Sequence, residues 1–147
     1  MSVAVVILNY NGSAFLSKFL PKVISTSPEC DIYVADNGST DDSIDLIKSQ
    51  FPQVKLILST ENLGYAGGYN YALKQIAAEY YVLMNSDIEP KEHWLNNLLS
   101  YFQANPNVAA AQPFILSYQE PTKFEYLCQF KLPPFENALQ LIGIPIK

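Results

Sequence analysis

From its amino end to Gln112 the chain alternates short apolar runs with stretches of helical periodicity, and no other feature limits its fold so strongly. Such alternation builds β-α-β units on a mostly parallel sheet, because each helix must return the chain to the same sheet edge. Strands are expected at 3–8, 31–35, 55–58, 80–84 and 108–116, and helices at 14–25, 40–50, 69–78 and 91–103. The expected fold class is therefore α/β, a mostly parallel central sheet flanked by helices. The runs at 3–8 and 80–84 are continuous enough to be covered on both faces. The first helix starts after a Gly12-Ser13 turn and places Phe15, Phe19 or Leu20, and Val23 on one stripe. The second opens Ser-Thr-Asp-Asp, with hydroxyls to cap it and carboxylates in the first turn, where the helix dipole favours them; Ile44 and Ile47 face the sheet. The third follows a glycine-rich entry at 64–68. The fourth begins after Pro90 and buries Trp94, Leu95, Leu98, Leu99 and Phe102.

With 147 residues, 49% of them hydrophobic and 16% charged, the chain suits one folded domain of ordinary size. Its net charge is −5, all nine cations are Lys and none cluster, which argues against nucleic acid as a partner. An anionic ligand must then be met by backbone amides or a metal. Cys30 and Cys128 have no CxxC spacing and read as reduced structural thiols. The run at 3–8 is short and lacks a basic leader, so neither a signal peptide nor a membrane span is expected there. The expected location is cytoplasmic, or peripheral at the inner membrane face. After Gln112 the sequence becomes Pro-punctuated and aromatic, which divides it into a binding portion at 1–112 and the start of a second region at 113–147. The apolar tail at 138–146 is too short to span a bilayer and calls for a partner: more chain, another subunit through self-association, or a membrane surface.

In an open parallel sheet ligands bind beyond the carboxyl ends of the strands. Polar residues collect at four of those ends: Asn9-Tyr10-Asn11-Gly12, Asp36-Asn37-Gly38-Ser39, Glu61-Asn62-Leu63-Gly64 and Asn85-Ser86-Asp87. One such turn needs no ligand, since β-α turns favour these residues for capping and left-handed backbone. Four on one rim are harder to explain so, and Asp36 and Asp87 each follow a buried run where a carboxylate must find donors or a cation. Asp36 can accept from a base N–H, and Tyr10 can stack on a ring. The entry Gly64-Tyr65-Ala66-Gly67-Gly68-Tyr69-Asn70 lets backbone approach a phosphate or sugar at a helix N-terminus. It matches neither GxGxxG nor a Walker loop. Asp87, with Asn85, can hold Mg²⁺ or Mn²⁺ bridging a diphosphate.

Taken in order, "VVILNYNG", "VADNGSTDDS", "ENLGYAGGYNYAL" and "YYVLMNSDIEP" resemble the family 2 glycosyltransferases, in particular rhamnosyltransferase-like members. The resemblance implies a Rossmann-like GT-A domain that moves a sugar, with inversion, from a UDP, GDP or dTDP donor to a hydroxyl of a carbohydrate or lipid-linked acceptor, as in cell-envelope polysaccharide synthesis. It implies that Asn9, Tyr10 and Asn11 line the nucleoside pocket, that Asp36 takes the base, and that Gly64, Gly67, Gly68 and Asn70 flank the donor. Asn85-Ser86-Asp87 becomes the DxD-type motif, with Asp87 and Asn85 as metal ligands and Ser86 beside the donor. Asn85 stands where the family commonly has Asp, which leaves most of the metal binding to Asp87. The Glu-Asp pair that supplies a catalytic base in inverting members is missing; Glu120, Glu125 and Glu136 stand alone, and Glu125 is the candidate. The resemblance thus points to the N-terminal donor-binding portion of such an enzyme. The alternative is an inactive nucleotide-sugar-binding or interaction module. A nucleotidyltransferase is disfavoured, because no glycine- and arginine-rich loop follows the first strand. Elsewhere, His93 reads as solvent-facing or capping, Trp94, Tyr80 and Tyr81 as core, and Tyr65 and Tyr69 as able to touch the donor.

Overall fold

Four parallel strands, β1 (Val3–Asn9), β2 (Asp31–Asn37), β3 (Lys55–Ser59) and β4 (Tyr80–Asn85), form one sheet in the order β3-β2-β1-β4. Helices α1 (Ser13–Thr26), α2 (Ser43–Gln50) and α3 (Gly64–Leu73) make the crossovers. The computed structural model describes residues 2–113, 115–120 and 122–126. Two compact units result, Met1–Glu92 and His93–Lys147, and the sheet belongs to the first.

The centre of the sheet is where the sequence is most apolar. Val5 and Val6 of β1 and Val34 of β2 are fully buried. One face carries Ala4, Val6, Ala35 and Ile57 against Tyr69 and Ala72 of α3 and Ile76 just beyond it. Strand alternation turns Val5, Ile7 and Val34 to the other face, and Leu16, Leu20, Val23 and Ile47 of α1 and α2 are equally buried. Register then sets the rim. Asn9 pairs with Asp36, Leu8 with Asn85 and Asn37 with Ser59, so the polar ends of all four strands finish level.

Several expected boundaries move, each for a physical reason. Among the described residues strand β4 is an outer strand, and Tyr81 and Leu83 are each 41% exposed, so it is not covered on both faces as expected. Leu16, not Phe15, completes the buried stripe of α1, and Phe15 is 50% exposed. Helix α2 begins at Ser43 because Ser39, Thr40 and Asp41 are hydrogen-bonded to the β1-α1 turn instead of capping α2 at Thr40. Helix α3 includes the glycines that were expected to precede it and ends at Leu73, before Ala78. Packing overrides propensity there.

In the second unit α4 (Trp94–Ala104) starts three residues later than expected, since His93 has a left-handed backbone (φ 56°) that a right-handed helix cannot contain. Leu95 is the one buried residue of α4 among those described; Trp94 is half-buried. The expected strand at 108–116 shortens to β5 (Ile115–Leu116), which pairs antiparallel with β6 (Phe124–Tyr126) and not with the parallel sheet. Pro106 and Pro113, which lack the N–H a ladder needs, bracket the missing part. Glu125 lies on β6. Cys128, Glu136 and the tail at 138–146 lie outside the described residues.

Candidate functional site

The carboxyl ends of the strands enclose a cavity of about 410 Å³ lined by Leu8, Tyr10, Asn11, Gly12, Phe15, Asn37, Asn62, Gly64, Tyr65 and Asn85-Ser86-Asp87. Of the residues singled out from sequence, Tyr10, Asn11, Gly64, Asn85, Ser86 and Asp87 meet here. Asn9, Asp36, Gly67, Gly68 and Asn70 do not line it.

Asn9 and Asp36 lie beneath the cavity, 0% and 2% exposed. The Asn9 amide nitrogen donates to Asp36 Oδ2 (3.0 Å) and to Ser39 Oγ (3.2 Å), while Asp36 Oδ1 accepts from the Ser39 backbone N–H (2.9 Å). Both carboxylate oxygens are thus engaged by the protein, which meets the cost of burying the group. The Asn9 Oδ1 atom is buried without a partner, and a Cβ added at Gly12 would lie 2.4 Å from it, so only glycine lets the turn cross so closely. Gly67, Gly68 and Asn70 sit on α3. A Cβ at Gly68 would lie 2.7 Å from Leu8 Cδ1 and 3.2 Å from the Asn37 amide. Its role is close packing of α3 onto the strand tips.

The loops around the cavity are fastened to one another. Asn11, itself left-handed (φ 51°), donates its N–H to Ser39 Oγ (2.9 Å), and its side-chain oxygen accepts from the Thr40 N–H (2.7 Å). Asp41 accepts from the N–H of Ser13 (2.9 Å), the first residue of α1, and from Ser43, the first of α2. One carboxylate therefore serves two helix N-termini, where negative charge is favoured. Burial alone would push the Asp41 carboxyl up, but hydrogen bonds from Ser43 and Ser13 outweigh it and hold the group below its usual value.

Aromatic rings define the open side. Tyr10 is 51% exposed, Phe15 50% and Tyr65 64%. Tyr69, in contrast, is buried; its hydroxyl donates to the Met84 carbonyl (2.9 Å), and its ring meets Tyr65 edge to face at 5.1 Å. Burial, and then Tyr65, push the Tyr69 hydroxyl well above its ordinary range, so it stays a neutral donor. Of the two tyrosines expected near a donor, Tyr65 reaches the cavity and Tyr69 supports it.

Among the described residues Asp87 is the one charged residue of the lining, and no Lys lies there. Among the described residues no three His, Cys, Asp or Glu cluster in a way that could hold a metal by themselves. The donor set of Asp87, Asn85 and Ser86 is all oxygen and carries one charge. It fits a hard divalent cation that shares its coordination with ligand phosphates and water, as Mg²⁺ commonly does. Phe15, Asn37 and Asn62 were not assigned to the site from sequence. Asn37 and Asn62 stood in the rim clusters, whereas Phe15 was hidden in an apparently regular apolar stripe.

Comparison with known proteins fits this geometry. The sequence model of glycosyl transferase family 2 matches residues 4–144. The chain is 29% identical over 109 residues to an uncharacterized glycosyltransferase of Nostoc, covering 71% of this chain and 34% of that protein. It is 25% identical over 123 residues to the N-acetylglucosaminyl-diphospho-decaprenol L-rhamnosyltransferase of Mycobacterium tuberculosis, covering 76% of this chain and 40% of that protein. The chain thus spans little more than a third of the curated relatives it matches. A mannosyltransferase of Pyrobaculum calidifontis in complex with GDP-Man and Mn²⁺ superposes with a TM-score of 0.64 at 25% identity, over 73% of this chain and 33% of that one. TarS of S. aureus, in complex with UDP-GlcNAc, superposes at 0.62 with 21% identity, over 72% and 32%. Among the described residues no helix is long and apolar enough to cross a membrane. The chain has the GT-A glycosyltransferase fold and belongs to glycosyl transferase family 2.

Proposed function

We propose that the rim cavity binds a nucleotide-diphosphate sugar, and that residues 1–112 are the donor-binding portion of an inverting glycosyltransferase whose acceptor side begins at 113–147. One observation carries this reading: among the described residues, three exposed aromatic rings, several amides and a single carboxylate, Asp87, share one cavity that no cationic side chain lines. A diphosphate placed there meets no Arg or Lys among the described lining residues, and a cation held by Asp87 and the Asn85 carbonyl would neutralise it. Bound Mg²⁺ or Mn²⁺ would stabilise charge on the departing diphosphate. The chain's own residues bind and orient: Tyr10 offers a stacking face for the base, and Asn11, Asn62 and Ser86 offer hydrogen-bonding groups to ribose, phosphate or sugar. The name of the mycobacterial relative favours a lipid-linked acceptor, and the same reading puts the protein in cell-envelope synthesis, cytoplasmic or peripheral at the inner membrane face.

Transfer also needs a base for the acceptor hydroxyl. Glu125 is our candidate. Because Asp87 is the only carboxylate lining the cavity among the described residues, a second reading deserves a test, that this chain binds the donor without transferring it. Calorimetry with UDP, GDP and dTDP sugars, with and without Mn²⁺, separates the outcomes. We expect Mn²⁺-dependent binding by at least one nucleotide class and its loss by tenfold or more in Asp87→Ala. Binding that is indifferent to Mn²⁺ and to Asp87 would sink the metal assignment, and turnover in a transfer assay would exclude the binding-only reading.

A further inference from the structure

We propose that Asn37 is a positioning residue that holds the Asn62-Leu63-Gly64 turn so that Tyr65 forms a fixed ligand-contacting wall; the ligand role rests on the reading above. Asn37 ends β2 and is 3% exposed. Its amide nitrogen donates to Asn62 Oδ1 (2.9 Å) and to the Gly64 carbonyl (3.1 Å), and its oxygen accepts from the Leu63 N–H (3.0 Å). Both amide donors and one acceptor site are therefore spent on three consecutive residues of a neighbouring loop. Asn62 Oδ1 closes the turn by accepting from the Gly64 N–H (2.8 Å), and Gly64 supplies the positive φ (72°) the turn requires.

The next residue is Tyr65. It is 64% exposed yet not free to wander, because its backbone follows the gripped turn and its ring abuts Tyr69, itself tied to the Met84 carbonyl of the strand that delivers Asp87. Gly68, one helical turn on, lies against the same Asn37 amide. An exposed ring held at both ends beside a cavity is arranged for contact with a ligand whose binding then requires little further ordering.

The test uses the full chain with Mn²⁺ and the tightest-binding nucleotide sugar found by calorimetry. Tyr65→Ala and Asn37→Ser should each weaken affinity about five- to tenfold, and the double variant should be no weaker than the worse single one, because Asn37 acts through Tyr65. Asn37→Asp, which keeps the acceptor and loses both donors, should behave like Asn37→Ser. Asn62→Ala removes a partner at an exposed position, and should raise hydrogen exchange at Leu63 and Gly64 without touching Asn11 or Ser13. Multiplying effects in the double variant, or wild-type affinity in Tyr65→Ala, would overturn the proposal. Should the wild-type chain bind no nucleotide sugar, the donor reading and the ligand role of Tyr65 fail together, while unchanged exchange in Asn62→Ala and Asn37→Ser would separately refute the grip on the turn.

Discussion

At the residue scale, two glycines of the same motif do opposite work. Gly64 has open space where a Cβ would go but a φ of 72°, whereas Gly68 has ordinary dihedrals and no room, its nearest neighbour being Leu8 Cδ1 at 2.7 Å. Gly64→Ala should therefore cost about 1–2 kcal/mol through backbone strain, and Gly64→Asn less, since Asn tolerates the left-handed region. Gly68→Ala should cost about 1–3 kcal/mol through overpacking, with no relief from Asn. Urea midpoints of the four proteins would show this, and equal losses for Ala and Asn at position 64 would contradict it. The sequence exposed both glycines as special but not which was which, because nothing local records that α3 lies on the strand tips. Asn9 and Asp36 were similarly legible as important, and only the fold shows them turned toward each other beneath the cavity.

At the element scale, strand and helix order could be read from apolar periodicity, and the ends could not. The hydroxyls and carboxylates before α2 read as a local cap, yet Ser39 and Thr40 bond across to the β1-α1 turn, and Asp41 reaches Ser13 of α1 as well as Ser43 of α2. Tertiary partners of this kind leave no periodic trace. The shared Asp41 carboxylate yields a pH prediction. Its folded-state value is depressed, so the stability it contributes is fully present above the unfolded carboxyl value of about 3.9 and is lost as pH falls through the folded value. Asp41→Asn should be less stable than wild type at neutral pH, and the gap between their urea midpoints should narrow below about pH 4. A gap that stays constant into acid would show that the carboxylate's charge contributes nothing.

At the scale of the whole molecule, parallel topology followed from the alternation and the rim followed from topology. The covering of β4 was misjudged, because an apolar run does not reveal whether its strand is central or outermost. The difference is measurable. Leu20→Ala, at a site 1% exposed, should cost about 2–5 kcal/mol. Leu83→Ala, at 41% exposure, should cost less than about 1 kcal/mol in the same denaturation assay. A large loss at Leu83 would mean that the outer strand is covered in solution.

The tethers among the rim loops bear on how such a site can be re-engineered. Asn9, Asn11 and Ser13 on the first loop are bonded to Asp36, Ser39, Thr40 and Asp41 on the second, and Asn37 of the second to the third. A graft that exchanged one loop for that of a relative would leave its neighbours' donors and acceptors facing strangers. The three loops form one unit of inheritance, and a change of donor should be transplanted as the set or not at all.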